Sequence, residues 1–161
     1  MIKLVRCDDR MIHGQCIVRI LGDFNIERII GVDNFTSDNA VLKNIYKLAM
    51  PPHVKGGVYN ENDAIGEIRQ HIGSGENTLV LVKSPHTALV LFQAVDDMPK
   101  ALNIGPMSSR KDAKKATMYA YLNDGEIEAL DKMAGMGVRV YFNQIMGQKI
   151  EEWEAVKAGM K

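Results

Sequence analysis

The chemistry in this sequence is concentrated in the run Arg6-Cys7-Asp8-Asp9-Arg10-Met11-Ile12-His13-Gly14-Gln15. Between Arg6 and His13 stand two arginines, two carboxylates and a histidine, a charge density that an ordinary turn does not need. A neutral imidazole nitrogen is a competent nucleophile near pH 7, because its unperturbed pKa is about 6.5. A phosphoryl group in transfer spreads negative charge over its outer oxygens, and a planar guanidinium stabilises that charge well. Arg10, three residues before His13, is the first candidate for this role and Arg6 the second. Asp8 either receives the N–H of the other ring nitrogen or holds an arginine in place, and both would position the site. Gly14 lets a bulky anion come close to His13. Each residue also has an ordinary use: His13 as a hydrogen-bonded structural residue, Asp9 as a helix N-cap, Arg6 as one half of an ion pair.

The elements that must position this run follow a regular alternation. Apolar segments predict strands at Ile2–Cys7, Arg28–Val32, Val54–Tyr59, Thr78–Lys83, Ala101–Ile104, Ala116–Tyr121 and Val138–Asn143. Helical stripes lie between them. Val41, Leu42, Ile45, Leu48 and Ala49 share a face that Pro51-Pro52 must end, and Ala64, Ile65, Ile68 and Ile72 form a second stripe. Ser84-Pro85 supplies an N-cap and first-turn proline, and Asp124 is the expected cap of a helix carrying Ile127, Leu130 and Ala134. Trp153 and Val156 should anchor a terminal helix, and most of the ten methionines are expected within helix stripes. The fold class is therefore α/β: one doubly wound domain over residues 1–161, with a mainly parallel central sheet of about seven strands. Such a sheet gathers ligands beyond the carboxyl ends of its strands, where His13 stands.

Composition narrows the function. The 20 basic and 20 acidic residues balance, which argues against broad attraction to nucleic acid. Two cysteines are too few for a disulfide scaffold, and no cysteine–histidine spacing suits zinc, so buried free thiols in a reducing compartment are expected. No cofactor or metal is called for. The N-terminal residues do not read as a signal peptide, and no apolar run is long enough to span a bilayer, which suggests a cytoplasmic protein.

The octapeptide Asp8-Asp9-Arg10-Met11-Ile12-His13-Gly14-Gln15 closely resembles the Asp-Asp-Arg-Leu-Ile-His-Gly-Gln signature of phosphotransferase-system IIB components of the mannose/fructose/sorbose family. Weaker matches follow in order along nearly the whole chain: Arg28–Asp33 resembles the second strand, Ala49-Met50-Pro51-Pro52 a double-proline stop, Leu79–Pro85 the fourth strand and its turn, and Asn103–Ser108 an Asn-Val-Gly-Gly-Met loop. The resemblance implies a phosphohistidine relay. A IIA component gives its phosphoryl group to His13, and His13 passes it to a sugar held by membrane IIC and IID subunits, making the chain a protein-phosphohistidine–sugar phosphotransferase component at the membrane periphery. Arg10 and Asp8 take the family's arginine and aspartate, while Arg6, Gly14, Gln15, Ser84, Gly105 and Met107 are expected around the phosphate. The departures are Met11 for leucine, Cys16 and Ile20 in place of a frequent valine and tryptophan, Pro106 for a common glycine, and Gln144-Ile145-Met146-Gly147 for a Gln-x-Val-Pro. These touch partner identity more than chemistry. Association with further copies of the chain, and the sugar itself, are left open.

Two other classes fit parts of the pattern. A receiver domain phosphorylated on aspartate shares an acidic pair after its first strand, but the third strand here ends in Val58-Tyr59-Asn60 rather than in the acceptor aspartate. A nucleotide-binding enzyme would use Asp33 on a ribose, yet the first turn lacks the glycine-rich fingerprint.

Overall fold

A computed structural model describes residues 1–160, apart from the side chain of Gln15. Strand β1 (Ile2–Cys7) leads to helix α1 (Gly14–Asp23), followed by β2 (Arg28–Val32), the short α2 (Asn34–Ser37), α3 (Ala40–Ala49) and β3 (Lys55–Tyr59). Then come α4 (Glu61–His71), β4 (Thr78–Val82), α5 (Pro85–Ala94) and β5 (Ala101–Ile104). A hairpin of β6 (Lys114–Lys115) and β7 (Tyr121–Leu122) precedes α6 (Asp124–Gly135), β8 (Arg139–Phe142), β9 (Glu151–Glu152) and α7 (Trp153–Gly159). The central sheet runs β3-β2-β4-β1-β5-β8-β9, parallel throughout except for β9, which is antiparallel to β8.

The side-chain period of a strand explains the two cores. On β2 and β4, Ile29, Leu79 and Leu81 point to one face, under α1, with Ile17, Ile20 and Leu21. Ile30, Val80 and Val82 point to the other, where they meet Ile68, Leu91, Phe92 and Leu130 from α4, α5 and α6. Every residue of β4 is buried, as a strand covered on both faces requires. Trp153 and Val156 are buried and fasten α7, with the indole N–H donating to Asp131 at 3.0 Å. At the end of α3, Met50 takes an extended conformation before Pro51, the geometry that a following proline imposes.

Three expectations about elements need correction. Residues Ala116–Tyr121 do not form a strand of the central sheet: the amides of Ala116 and Thr117 both donate to the Ala120 carbonyl, so the segment closes the turn of the β6–β7 hairpin and Tyr121 begins β7. The seventh strand of the sheet is β9, whose two residues were too few to show a period. Asn123, not Asp124, caps α6, in a capping box with Glu126. Of the methionines, Met133 alone lies inside an assigned helix; Met11, Met50, Met98 and Met107 are buried at helix ends and loops, filling irregular space.

Candidate functional site

The loop from Asp8 to His13 leaves the carboxyl end of β1 at the centre of the sheet. Its backbone is tied on both sides, Asp8 N–H donating to Val82 at 3.0 Å and Asp9 N–H to Pro106 at 3.3 Å. The Arg10 N–H closes a local turn on the Asp8 carboxylate at 3.0 Å, and the Met11 N–H donates to the Asp8 carbonyl. Met11 adopts φ +54, unusual for a side chain of its size. Burial of Met11 and Ile12, 1 % and 2 % exposed, holds that conformation, and the Met11 methyl sits where Gly31 leaves room. With these two side chains anchored inward, Arg10 and His13 on either side are turned outward.

His13 is half-buried, extended, and is the N-cap residue of α1. It makes no side-chain cap bond, and its Nδ1 lies 3.4 Å from the Met11 carbonyl, too far for a firm hydrogen bond. Among the described residues this long contact is the one partner of the ring. Gly14 follows at φ +56 with open space around it, so the helix enters through a turn that favours glycine. The expectation that Asp9 caps this helix is corrected: its Oδ2 instead accepts the Ser108 N–H at 2.6 Å, and its Oδ1 is buried without a partner among the described residues.

Behind the loop lies a buried charge ladder. Arg6, 1 % exposed, donates to Asn103 Oδ1 at 2.5 Å, to the Gln144 carbonyl at 2.8 Å and to the Asn143 carbonyl at 3.4 Å. The Asp8 carboxylate lies 3.6 Å from Arg6 and 3.8 Å from the outward Arg10. Burial pushes the Asp8 carboxyl above its usual range, opposed by the Arg10 N–H and by the charges of Arg6, Arg10 and His13. Burial likewise lowers Arg6, with Asp8 opposing it. Of the two uses expected of Asp8, the structure shows contacts to both arginines rather than a hydrogen bond to the imidazole.

The remaining expected site residues divide. Arg6 and Met107 stand in the interior rather than around an external phosphate: Met107 is 1 % exposed, its sulfur 3.7 Å from Cys7. Gly105 is buried against Arg6, where a side chain would overlap the guanidinium. Ser84 caps α5, accepting the Thr87 N–H at 3.2 Å, and also lines an open cleft of about 420 Å³ beyond the strand ends. The cleft is shared with Arg10, Lys83 and Arg110, each cation paired with a carboxylate: Asp8, Asp33 and Glu126 respectively. The Gln15 side chain lies outside the described residues. Arg110, Ser108 and Phe35, also in the cleft, were missed from the sequence; the position of residues 108–110 just past β5, at the functional end of the sheet, was the available signal. Asp33 caps α2 through Thr36 at 3.0 Å, which accounts for it without a ribose.

Fold and rim together define a doubly wound α/β protein whose central strand presents a histidine, an arginine and a buried aspartate at its carboxyl end. Residues 2–160 match the family described as PTS system sorbose subfamily IIB component, and the chain belongs to that family. It is a phosphoryl carrier of a sugar phosphotransferase system. It is 28 % identical to the sorbose-specific EIIB component of Klebsiella pneumoniae, over 86 % of this chain and 84 % of that one. It is 23 % identical to the fructose-specific EIIB component of Bacillus subtilis, over 94 % and 93 %. The chain spans 44 % of the mannose-specific EIIAB component of Escherichia coli, at 26 % identity over 89 % of its own length. The crystal structure of the IIBSor domain of the Klebsiella pneumoniae sorbose permease superposes with a TM-score of 0.91 at 25 % identity, covering 99 % of this chain and 98 % of the other. Family and fold do not favour a receiver domain. No helix among the described residues is long and apolar enough to cross a membrane.

Proposed function

We propose that His13 is the phosphoryl-carrying residue, charged by a phosphorylated IIA component and discharged onto a sugar bound by membrane IIC and IID subunits. The observation that carries this reading is a half-buried imidazole, held among the described residues by one long contact, on the same loop as the Arg10–Asp8–Arg6 ladder. In the first step a ring nitrogen of His13 attacks phosphorus, the phosphorus–nitrogen bond of the donor histidine breaks, and its electron pair returns to the donor ring, which takes up the proton His13 gives up. In the second, a sugar hydroxyl attacks, a phosphorus–oxygen bond forms as the phosphorus–nitrogen bond to His13 breaks, and the hydroxyl proton goes to the freed imidazole. Arg10 shares the charge on the equatorial oxygens, and Asp8, held by Arg6, keeps Arg10 aimed. Among the described residues the first turn of α1 carries no side-chain cap and no acidic residue, which leaves its N–H groups open to an anion. Gly14 supplies the turn, and Ser84, Gly105 and Met107 act as supports of the loops rather than as ligands.

In this reading the chain acts as a protein-phosphohistidine–sugar phosphotransferase component, working at the membrane surface through its partners. Incubation with phosphorylated cognate IIA should label the wild-type chain, and His13→Ala should take up no label while keeping its far-UV circular dichroism. Labelling retained in that folded variant would move the acceptor elsewhere.

A further inference from the structure

The carboxylate of Asp8 is divided between two guanidiniums. It lies 3.6 Å from Arg6 and 3.8 Å from Arg10, both beyond the roughly 2.7–2.9 Å of a close charged hydrogen bond. Among the described residues no other carboxylate pairs with either arginine; Asp9, the next along the chain, accepts the Ser108 N–H instead. The reason Asp8 does not close on one partner lies on the inner side. Arg6 is held by Asn103 Oδ1, the Asn143 carbonyl and the Gln144 carbonyl, and every one of these acceptors is neutral. Asn103 is the nearest of them. It stands opposite Arg6 in the β1–β5 register, is fully buried, and donates its own Nδ2 to Asn143 Oδ1 at 2.8 Å. With that N–H committed, its oxygen is turned to the guanidinium and its place is fixed from both sides.

An amide binds a guanidinium without cancelling its charge, so Arg6 still draws on Asp8 from within while Arg10 draws on it from without. Arg10, its side chain 45 % exposed, is thereby only loosely paired and able to turn to an incoming anion. We propose that Asn103 is a positioning residue for phosphoryl transfer: by holding Arg6 with a neutral oxygen it keeps Asp8 shared, and so keeps Arg10 free to take up the phosphoryl oxygens. This rests on the reading of His13 given above. A carboxylate in the place of the Asn103 amide, nearly the same in shape, would satisfy Arg6 by itself. Asp8 would then close on Arg10 and draw it away from the phosphoryl group. A shorter neutral side chain would act in reverse: Arg6, losing its anchor, would be drawn onto Asp8, and Arg10 would be released.

The test reads Arg10 directly. Modification of the folded protein with phenylglyoxal, located by mass spectrometry, reports how freely the Arg10 guanidinium reacts. Arg10 should react severalfold more slowly in Asn103→Asp than in wild type, and faster in Asn103→Ser. Transfer from phosphorylated cognate IIA should be slowed roughly tenfold or more in Asn103→Asp. Adding Asp8→Asn to that variant should restore part of the lost rate, because Arg10 then has no carboxylate to close on; a residue that serves the fold alone would give two losses that add. Far-UV circular dichroism shows which variants fold, and Asn103→Ser carries the reactivity measurement by itself if Asn103→Asp does not. Unchanged Arg10 reactivity in the variants that fold overturns the proposal. So does wild-type transfer by Asn103→Asp, or a double variant slower than either single one. If the wild-type chain takes no label at His13, the reading of the histidine fails first; if it takes label there and the variants match it, the role of Asn103 alone fails.

Discussion

Substituting Gly105 by alanine tests the buried ladder on which the site is built. The φ of Gly105 lies outside the left-handed region, so alanine meets no backbone strain there. What it meets is Arg6: an added methyl would stand 2.5 Å from Cζ and 3.0 Å from Nε, and would overlap Nη2 outright. The guanidinium must move, and in moving it gives up its hydrogen bonds to Asn103 and Gln144 and its approach to Asp8. Hydrogen bonds to a charged group contribute about 1.5–3 kcal/mol each. Stranding one partner of a buried charged pair costs about 3–5 kcal/mol. The two figures describe the same loss from different sides, so Gly105→Ala should destabilise the protein by about 3–5 kcal/mol, lowering Tm by roughly 6–20 °C for a domain of this size. Urea unfolding followed by circular dichroism measures it. The control is Arg6→Met, which removes the obstructing group: in that background Gly105→Ala should cost less than about 1 kcal/mol, the non-additivity expected of two groups in contact. A Gly105→Ala protein within about 0.5 kcal/mol of wild type, or equal costs in both backgrounds, would refute the ladder as the support of the loop.

Two further outcomes follow from the same geometry. Arg10→Lys should keep the fold, since Arg10 is exposed, but slow phosphoryl transfer strongly, because a point charge does not reproduce a planar two-pronged donor; stopped-flow transfer from IIA at an unchanged rate would make Arg10 merely structural. At the opposite end of the sheet, hydrogen bonds from Arg28 and Lys55 pull the Glu76 carboxyl down from 4.5 to about 2. Its folded pKa is depressed, so its contribution is complete above about 4.5 and drains away as the pH falls towards about 2. Urea midpoints of wild type should therefore fall across that window more steeply than those of Glu76→Gln, and parallel curves would remove Glu76 from the acid response.

The parallel sheet was legible because its central strands are buried on both faces and read as unbroken apolar runs, as Thr78–Val82 does. Elements set by turn geometry were not. Nothing in the composition of Ala116–Tyr121 distinguishes a strand from a hairpin turn, and the difference rests on two amides reaching one carbonyl. The charged octapeptide drew attention to the right loop, but sequence spacing cannot say which arginine is inside. Arg6 lies within a strand, and whether it faces the core depends on Asn103 in β5 and Asn143 just past β8, about a hundred and more residues away. For the same reason Lys83 and Arg110 could not be joined to Arg10 before the strand order placed their loops at one rim. The stripe on α3 was visible as a helix face; that it faces outward is a property of the tertiary structure alone.

Where the phosphorus goes can be read directly. Phosphorylated IIA should be mixed with the chain, the product digested under alkaline conditions, and the modified peptide located by mass spectrometry. A single acid-labile, alkali-stable phosphoryl group on His13 is expected. A group found on Asp8, Asp9 or any residue other than His13, or one lost in alkali, would contradict it.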